Sequence, residues 1–318
     1  MSDDVLRLRL FLLRLSFLRC GEKELLEKKI SRCEDFITMS FDELSIAVGR
    51  VLKRTLWNPR AIILSVERDI KLMEAYRIGL VFYDSPHYPP LLREIYDYPY
   101  ALFYRGDFSS AHKPCIAVVG TRKPTQNVIT QTRIFTEELA GYGFTVVSGL
   151  AFGVDACAHR GALNAGVVSA CGKTVAVLGS GVDSVTPFSN KRLGAAILES
   201  GGCLVSEYPP GEAAQKWHFV QRNRIISALS SAIIVMQAPP GSGSLITADF
   251  ALEHNRELYF YADAVDFDRA LFEKSNNLLS GVQGKIKKRV SDYIEEGACV
   301  IDCAKQVYDL HNHDLRID

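Results

Sequence analysis

The chain has 318 residues, about twice an ordinary domain, and its 47% hydrophobic and 23% charged composition is that of a globular protein with ample core material. Lys+Arg 37 balance Asp+Glu 37, so bulk charge gives no argument for a nucleic-acid or membrane partner. Eight cysteines, sparse and irregularly spaced, do not form a disulfide framework and are expected as free thiols in a reducing cytoplasm. From the N-terminus, the greasy stretch Leu6 to Leu18 is interrupted by Arg7, Arg9 and Arg14 and closed by Arg19. That pattern suits neither a signal peptide nor a membrane span, and the expectation is a soluble cytoplasmic protein. Leu6, Leu10, Leu13 and Phe17, then Leu44, Val48 and Leu52, recur at helical steps, so residues 1 to about 80 read as successive helices. Ser40 and Glu43 stand at capping-box spacing and predict a helix start. The turn-rich Asp84–Pro90 and Tyr98-Pro99-Tyr100 then lead to an extended Ala101–Tyr104, which puts a domain boundary near residue 80.

Short apolar runs begin at Ile116, Phe144, Thr174, Cys203, Ala232 and Leu258, spaced 26 to 30 residues apart. A strand, a crossover helix and two short loops need about 30 residues. Uninterrupted rather than alternating runs are what strands buried on both faces look like. The fold class is therefore α/β, a doubly wound, mostly parallel sheet of about six strands behind a small all-helical N-terminal domain. Thr130–Ala140 and Lys191–Glu199 are read as two of the crossover helices. The expected division is 1–80 helical, 81–285 α/β core, and 286–318 a closing helix, short strand and polar tail. Lys285, Lys287, Lys288 and Arg289 read as a solvated helix face.

Ligands of such a sheet lie beyond the carboxyl ends of its strands. Four loops there carry Gly with Ser or Thr, beginning at Gly120-Thr121-Arg122, Ser148-Gly149, Gly179-Ser180 and Pro239, the last reaching Gly243-Ser244. Helix N-termini with free N–H groups favour phosphate, although any single glycine there is also what a tight turn requires. Arg122 strengthens the phosphate reading, because a guanidinium binds phosphate bidentately. No GxxxxGK[ST] loop occurs, and Gly179-Ser180-Gly181 continues to Ser184 where a dinucleotide fingerprint needs a third glycine. Lys216-Trp217-His218-Phe219-Val220-Gln221-Arg222-Asn223-Arg224 interleaves cations with rings, the combination a single-stranded nucleic-acid groove uses. Residues 105 to 225 hold 12 Lys/Arg against 8 Asp/Glu. The competing structural reading pairs Arg222 or Arg224 with Glu207 or Asp155 inside the fold.

Ala117–Thr125, Val146–Ala162, His218–Ser230 and Gly243–Ala248, with Tyr88–Leu92 and Tyr104–Asp107 upstream, resemble the DprA/Smf family of DNA-processing proteins in the same order. The resemblance runs from about 88 to 262. It implies an extended Rossmann-like core, usually a homodimer, that binds single-stranded DNA, protects incoming strands and helps load the RecA recombinase in natural transformation, without catalysis and without a cofactor. By motif position it implies Gly120, Thr121 and Arg122 as the phosphate-binding loop, with Ser148 and Gly149 offering a hydroxyl and backbone donors. Lys216, Phe219, Arg222, Asn223 and Arg224 would line the same groove, with Lys191 (beside Asn190), Gly243 and Ser244 contributing. Phe152, Trp217 or Phe219 would meet the bases. The chain departs from the family at Thr186-Pro187-Phe188 and at Ala262–Asp266, and Asp318 comes too early for the winged-helix module many members carry.

Two rivals are weighed. A LOG-type nucleotide phosphoribohydrolase would need a catalytic glutamate where Thr247 stands, and threonine is no acid or base near neutral pH. Cys299, Cys303, His311 and His313 would make an atypical zinc site, so buried cysteines and tail histidines are expected instead. His159 is read as a capping or core residue, because no nucleophile is paired with it.

Overall fold

A computed structural model describes residues 2–53, 56–168, 173–276 and 288–314. Four helices open the chain, α1 (Asp3–Arg14), α2 (Cys20–Glu27), α3 (Phe41–Val48) and α4 (Pro59–Tyr76). Ser40 accepts the Glu43 amide while the Glu43 carboxylate takes the Ser40 amide, the reciprocal cap that their spacing predicts. Asn58 caps α4, whose first residue is Pro59, a position where a missing N–H costs nothing. Leu10, Phe11, Leu12 and Leu15 are wholly buried, and Phe11 stacks on Phe36 at 4.5 Å. Arg14 ties α1 to α4 through a two-pronged bond to buried Asp69, at 2.7 and 2.5 Å. This core runs without a break into one face of the sheet through Phe82, Tyr100, Phe103 and Leu178, so the helices pack against the α/β core.

The sheet begins with two strands outside the expected six. β1 (Gly79–Phe82) pairs antiparallel with β2 (Ala101–Gly106) after the short α5 (Pro90–Arg93). The six apolar runs then form β3 (Cys115–Val119), β4 (Thr145–Ser148), β5 (Lys173–Val177), β6 (Cys203–Ser206), β7 (Ala232–Val235) and β8 (Glu257–Tyr261). Between them lie α6 (Gln126–Gly141), α7 (Val154–Val168), α8 (Lys191–Glu199), α9 (Lys216–Ala228) and α10 (Gly243–Glu253). α11 (Ala262–Asn276), α12 (Val290–Glu295), β9 (Cys299–Ile301) and α13 (Ala304–Asp314) follow. The nine strands are ordered β1-β2-β6-β5-β4-β3-β7-β8-β9, with β3 to β9 parallel and β2 antiparallel to β6. Every residue of β3, β4, β6 and β7 is buried, which is why those runs carry no polar alternation.

Strand order reverses beside β3, which has β4 on one side and β7 on the other. The loop leaving β3 therefore opens at the crevice where such sheets receive ligands. Three tail expectations change. Ala262–Asp266 is the first part of α11, and β9 has a helix on each side where the sequence suggested one. Lys288 and Arg289 are engaged rather than merely solvated, bonded to Glu296 at 2.6 Å and Asp268 at 2.9 Å; Lys285 and Lys287 lie outside the described residues.

Candidate nucleic-acid interface

The loop after β3 is fixed by Gln237, which follows β7. The Thr121 amide donates to the Gln237 carbonyl at 2.8 Å, and the Thr125 amide donates to its side-chain oxygen at 3.0 Å. A Cβ on Gly120 would press on Val154 and that same carbonyl, so glycine lets loop and strand end close together. Thr121 accepts the Lys123 amide, and Thr125 caps α6. So held, the loop turns the Arg122 and Lys123 side chains outward, both exposed.

The loop after β4 packs onto it. Leu150 has a left-handed φ of 54°, held by Asn190, whose amide donates to the Leu150 and Ala151 carbonyls at 2.9 and 3.2 Å. Gly153, at φ 75°, lies so close to the Thr121–Arg122 backbone that a Cβ would collide. Ser148 is buried and its hydroxyl donates to the Val118 carbonyl at 2.7 Å. The Gly149 and Ala151 amides bond the Asp155 carboxylate. Burial pushes that carboxyl above the ordinary range, against the opposing pull of Arg222. The hydroxyl and backbone donors expected to face a phosphate are thus already engaged within the protein.

Helix α9 contributes the third wall. Arg222 is buried, and its guanidinium donates to the Gly149 carbonyl at 2.6 Å, to the Val177 carbonyl, and to Asn223 at 3.2 Å. Desolvation lowers its pKa to about 10, and the nearby Arg122 charge adds to that, while Asp155 opposes it. Any side chain on Gly149 would occupy the space of this guanidinium. Arg224 is equally buried, joined to Glu207 at 2.5 Å and Asp97 at 3.0 Å. Asn223 donates to the Gly243 carbonyl at 3.1 Å and so links α9 to the start of α10. There, Ser244 is buried against Ser242 at 2.8 Å, while Gly243 has open space beside it. Lys216 and Trp217 are exposed, and Phe219 is half-buried.

A groove of about 490 Å³ opens between these parts, lined by Arg122, Lys123, Arg133, Arg160 and Phe152 among others, with no acidic side chain in its wall. None of the four cations makes an ion pair with a described residue. The Arg122 guanidinium lies 5.5 Å over the Phe219 ring, and Phe152 is 50% exposed. Lys123, Arg133 and Arg160 were not in the expected set. Arg133 and Arg160 meet because Gly161 lets α7 touch the Arg133 carbonyl and Thr136 on α6, a contact a Cβ would forbid. The only trace of this in the sequence is Arg160 inside the quoted motif, just before that glycine. Lys191 stands further along, its ammonium 5.6 Å over the exposed Phe188 ring, tied to the groove through neighbouring Asn190. The structure thus gathers Gly120, Thr121, Arg122, Phe219 and the loop 149–153 at one place, and holds Ser148, Arg222, Asn223 and Arg224 behind it.

A family profile described as DNA recombination-mediator protein A matches residues 79–308, from β1 into α13. The chain belongs to that family. Protein Smf of Escherichia coli is 41% identical over 210 residues, which cover 66% of this chain and 54% of that protein. The chain therefore spans about half the length of that relative. The crystal structure of DNA processing protein A from Streptococcus pneumoniae superposes with a TM-score of 0.68 at 28% identity, over 95% of this chain and 97% of that one. DNA processing protein A from Helicobacter pylori, whose structure was studied for its single-stranded DNA binding mode, shares the fold at TM-score 0.59 and 24% identity. Its match covers 75% of this chain and 97% of that one.

The rival chemistries meet their own obstacles. Thr247 is buried, its hydroxyl turned back to the Gly243 carbonyl within α10, and Glu253 is exposed at the far end of that helix. His159 is wholly buried and bonds Thr174 at 2.7 Å; burial drops its pKa to about 3. In the tail, His311 packs on Phe144 at 5.2 Å, Cys299 is exposed and Cys303 half-buried rather than buried as expected, and the His313 side chain lies outside the described residues.

Proposed function

We propose that the chain binds single-stranded DNA across the cationic groove and acts as an accessory protein of recombination rather than an enzyme. The observation that carries this reading is the convergence of Arg122, Lys123, Arg133 and Arg160, without a carboxylate, beside the half-exposed ring of Phe152. Cations at that density suit a run of phosphates, and rings at the rim suit unstacked bases. Arg122, Lys123, Arg133, Arg160, Lys191 and Lys216 are the contacting cations, with Phe152 and Phe219 as stacking platforms; Trp217, expected beside them, faces the other side of α9. Gly120, Gly149, Ser148, Arg222, Asn223 and Arg224 act by positioning them. Membership of the family and the Helicobacter pylori relative's single-stranded DNA binding support the same reading. RecA loading, protection of incoming strands during transformation and a homodimeric state extend the proposal by resemblance. The seven described cysteines are unpaired, and no helix among the described residues is long and apolar enough to cross a membrane; a cytoplasmic location belongs to the same proposal.

The test is fluorescence anisotropy of a labelled oligo-dT strand at two salt concentrations, with wild type and Arg122→Ala, against a duplex competitor. At about −0.7 per phosphate contact on a single strand, the four groove cations give a log–log salt slope of about −3, and all six about −4. Binding that prefers single strands, follows such a slope and weakens in the variant supports the groove. A folded protein that fails to bind at low salt refutes it.

A further inference from the structure

A second, larger cleft lies on the other side of α9. It holds about 960 Å³ between the α1–α2 turn, the Tyr96–Ala101 segment, the chain after β6, and α9. Trp217, Gln221 and Arg224, one and two helical turns apart, present one face of α9 to it, whereas Phe219 looks toward Arg122. Its volume is that of a small-molecule site.

Buried hydrogen-bonding groups in its wall lack partners. The Tyr100 and Tyr208 hydroxyls and one terminal nitrogen of Arg224 bond nothing among the described residues, although each residue is at most 9% exposed. Native interiors rarely leave such groups unpaired without a reason. Lys23, 7% exposed, has a single weak bond, to the Leu13 carbonyl at 3.4 Å, and sits 5.4 Å over the Tyr100 ring. All four can donate, and Lys23 and Arg224 can do nothing else, which points to an acceptor-rich guest.

Charge narrows the class. Glu207 and Asp97 are paired to Arg224, Glu22 to Arg50, and Arg14 to Asp69 and Glu212. Lys23 inside and Arg19 at the rim have no carboxylate partner within ion-pair distance among the described residues. Arg14 and Arg224 are each shared by two carboxylates, so the cleft as a whole is neutral: Lys23 and Arg19 are left to meet a single phosphate, while the surplus carboxylates oppose the higher charge of a polyphosphate. Around them stand Tyr96, 87% exposed, Trp217, 53% exposed, and Tyr208 stacked on His218 at 3.9 Å, a lining for a planar ring.

We propose that this cleft binds a nucleoside monophosphate, its phosphate on Lys23 and Arg19 and its base among Tyr96, Tyr208 and Trp217. The nucleotide is either free or the 5′-phosphorylated end of a strand. The site does not require the cationic groove to work, and the experiment separates the two.

Calorimetric titration uses dTMP, thymidine, and oligo-dT with and without a 5′-phosphate, on wild type, Lys23→Met, Tyr208→Phe and Arg122→Ala, each checked by thermal melting. For a free nucleotide, dTMP binds, thymidine does not, and Lys23→Met weakens dTMP by about 10- to 100-fold, the range of a charged hydrogen bond. Tyr208→Phe weakens it less, and Arg122→Ala leaves it unchanged. For a strand end, the 5′-phosphate tightens the oligonucleotide, and Lys23→Met and Tyr208→Phe remove that gain while Arg122→Ala retains it. The proposal is overturned if neither dTMP nor the 5′-phosphate produces a binding gain. It is equally overturned if folded Lys23→Met and Tyr208→Phe bind as wild type, or if the gain vanishes in Arg122→Ala alone.

Discussion

Replacing Arg222 by methionine separates positioning from contact. The guanidinium makes three hydrogen bonds, to Gly149, Val177 and Asn223. At about 2 kcal/mol each for a charged donor, their loss removes about 6 kcal/mol. Against this, the fall of the Arg222 pKa to about 10 marks a desolvation burden of about 3 kcal/mol, which the methionine relieves. The net loss is about 3 kcal/mol, near the lower end for a broken buried charge arrangement. Urea unfolding should therefore show a markedly lower midpoint for Arg222→Met and almost none for the exposed Arg122→Ala. Single-strand binding should reverse the order: Arg122→Ala loses affinity and flattens the salt slope by about 0.7, whereas folded Arg222→Met keeps its slope. If Arg222→Met keeps wild-type stability but loses a slope increment of that size, Arg222 touches phosphate and the reasoning is wrong.

Charge reversal at both Arg133 and Arg160 should leave the unfolding free energy from urea titration within about 0.5 kcal/mol of wild type, because both are exposed and without an ion pair among the described residues. The same variant should flatten the salt slope by about 1.4, and an unchanged slope in an anisotropy titration would remove these residues from the interface. Gly153→Ala must place a Cβ at φ 75° against the Thr121–Arg122 backbone, so a loss of about 1–3 kcal/mol is expected in denaturant titration, with weakened DNA binding. His159 predicts an acid-side slope. Its folded pKa of about 3 lies below the ordinary 6.5, so the unfolded chain binds the extra proton first, and stability present above pH 6.5 drains as pH falls. Between pH 7 and 5 the loss is about 2 kcal/mol, and His159→Asn should flatten that part of the stability–pH curve.

The central sheet was legible because its strands are buried on both faces, and six plain apolar runs recorded that. β1 was not, since Gly79–Phe82 is a short edge strand directly after a helix; the short closing strand is expected from the sequence, but the helix that follows it, Ala304–Asp314, reads there as polar tail. The site was half legible. The Gly120–Arg122 motif pointed to the loop that opens on the cationic groove, but a motif names side chains without saying which way they turn. Arg222 and Arg224 turn inward and are bonded there, as the structural alternative for that segment allowed. Arg133 and Arg160 lie on different helices and meet only through the α6–α7 packing at Gly161, a tertiary event no local pattern records.

Asp155 gives the β4 loop a resident carboxyl group. Its carboxylate already draws the Gly149 and Ala151 amides, the kind of donors that in nucleotide-binding sheets wait for a pyrophosphate. A free phosphate arriving here finds those donors already taken. What remains available is the shelf of outward cations around Arg122, suited to a guest that lies along the surface rather than one that plugs into a pocket. On the proposed function, the sheet that elsewhere grips a cofactor by its phosphates would serve here as a rail for a polymer.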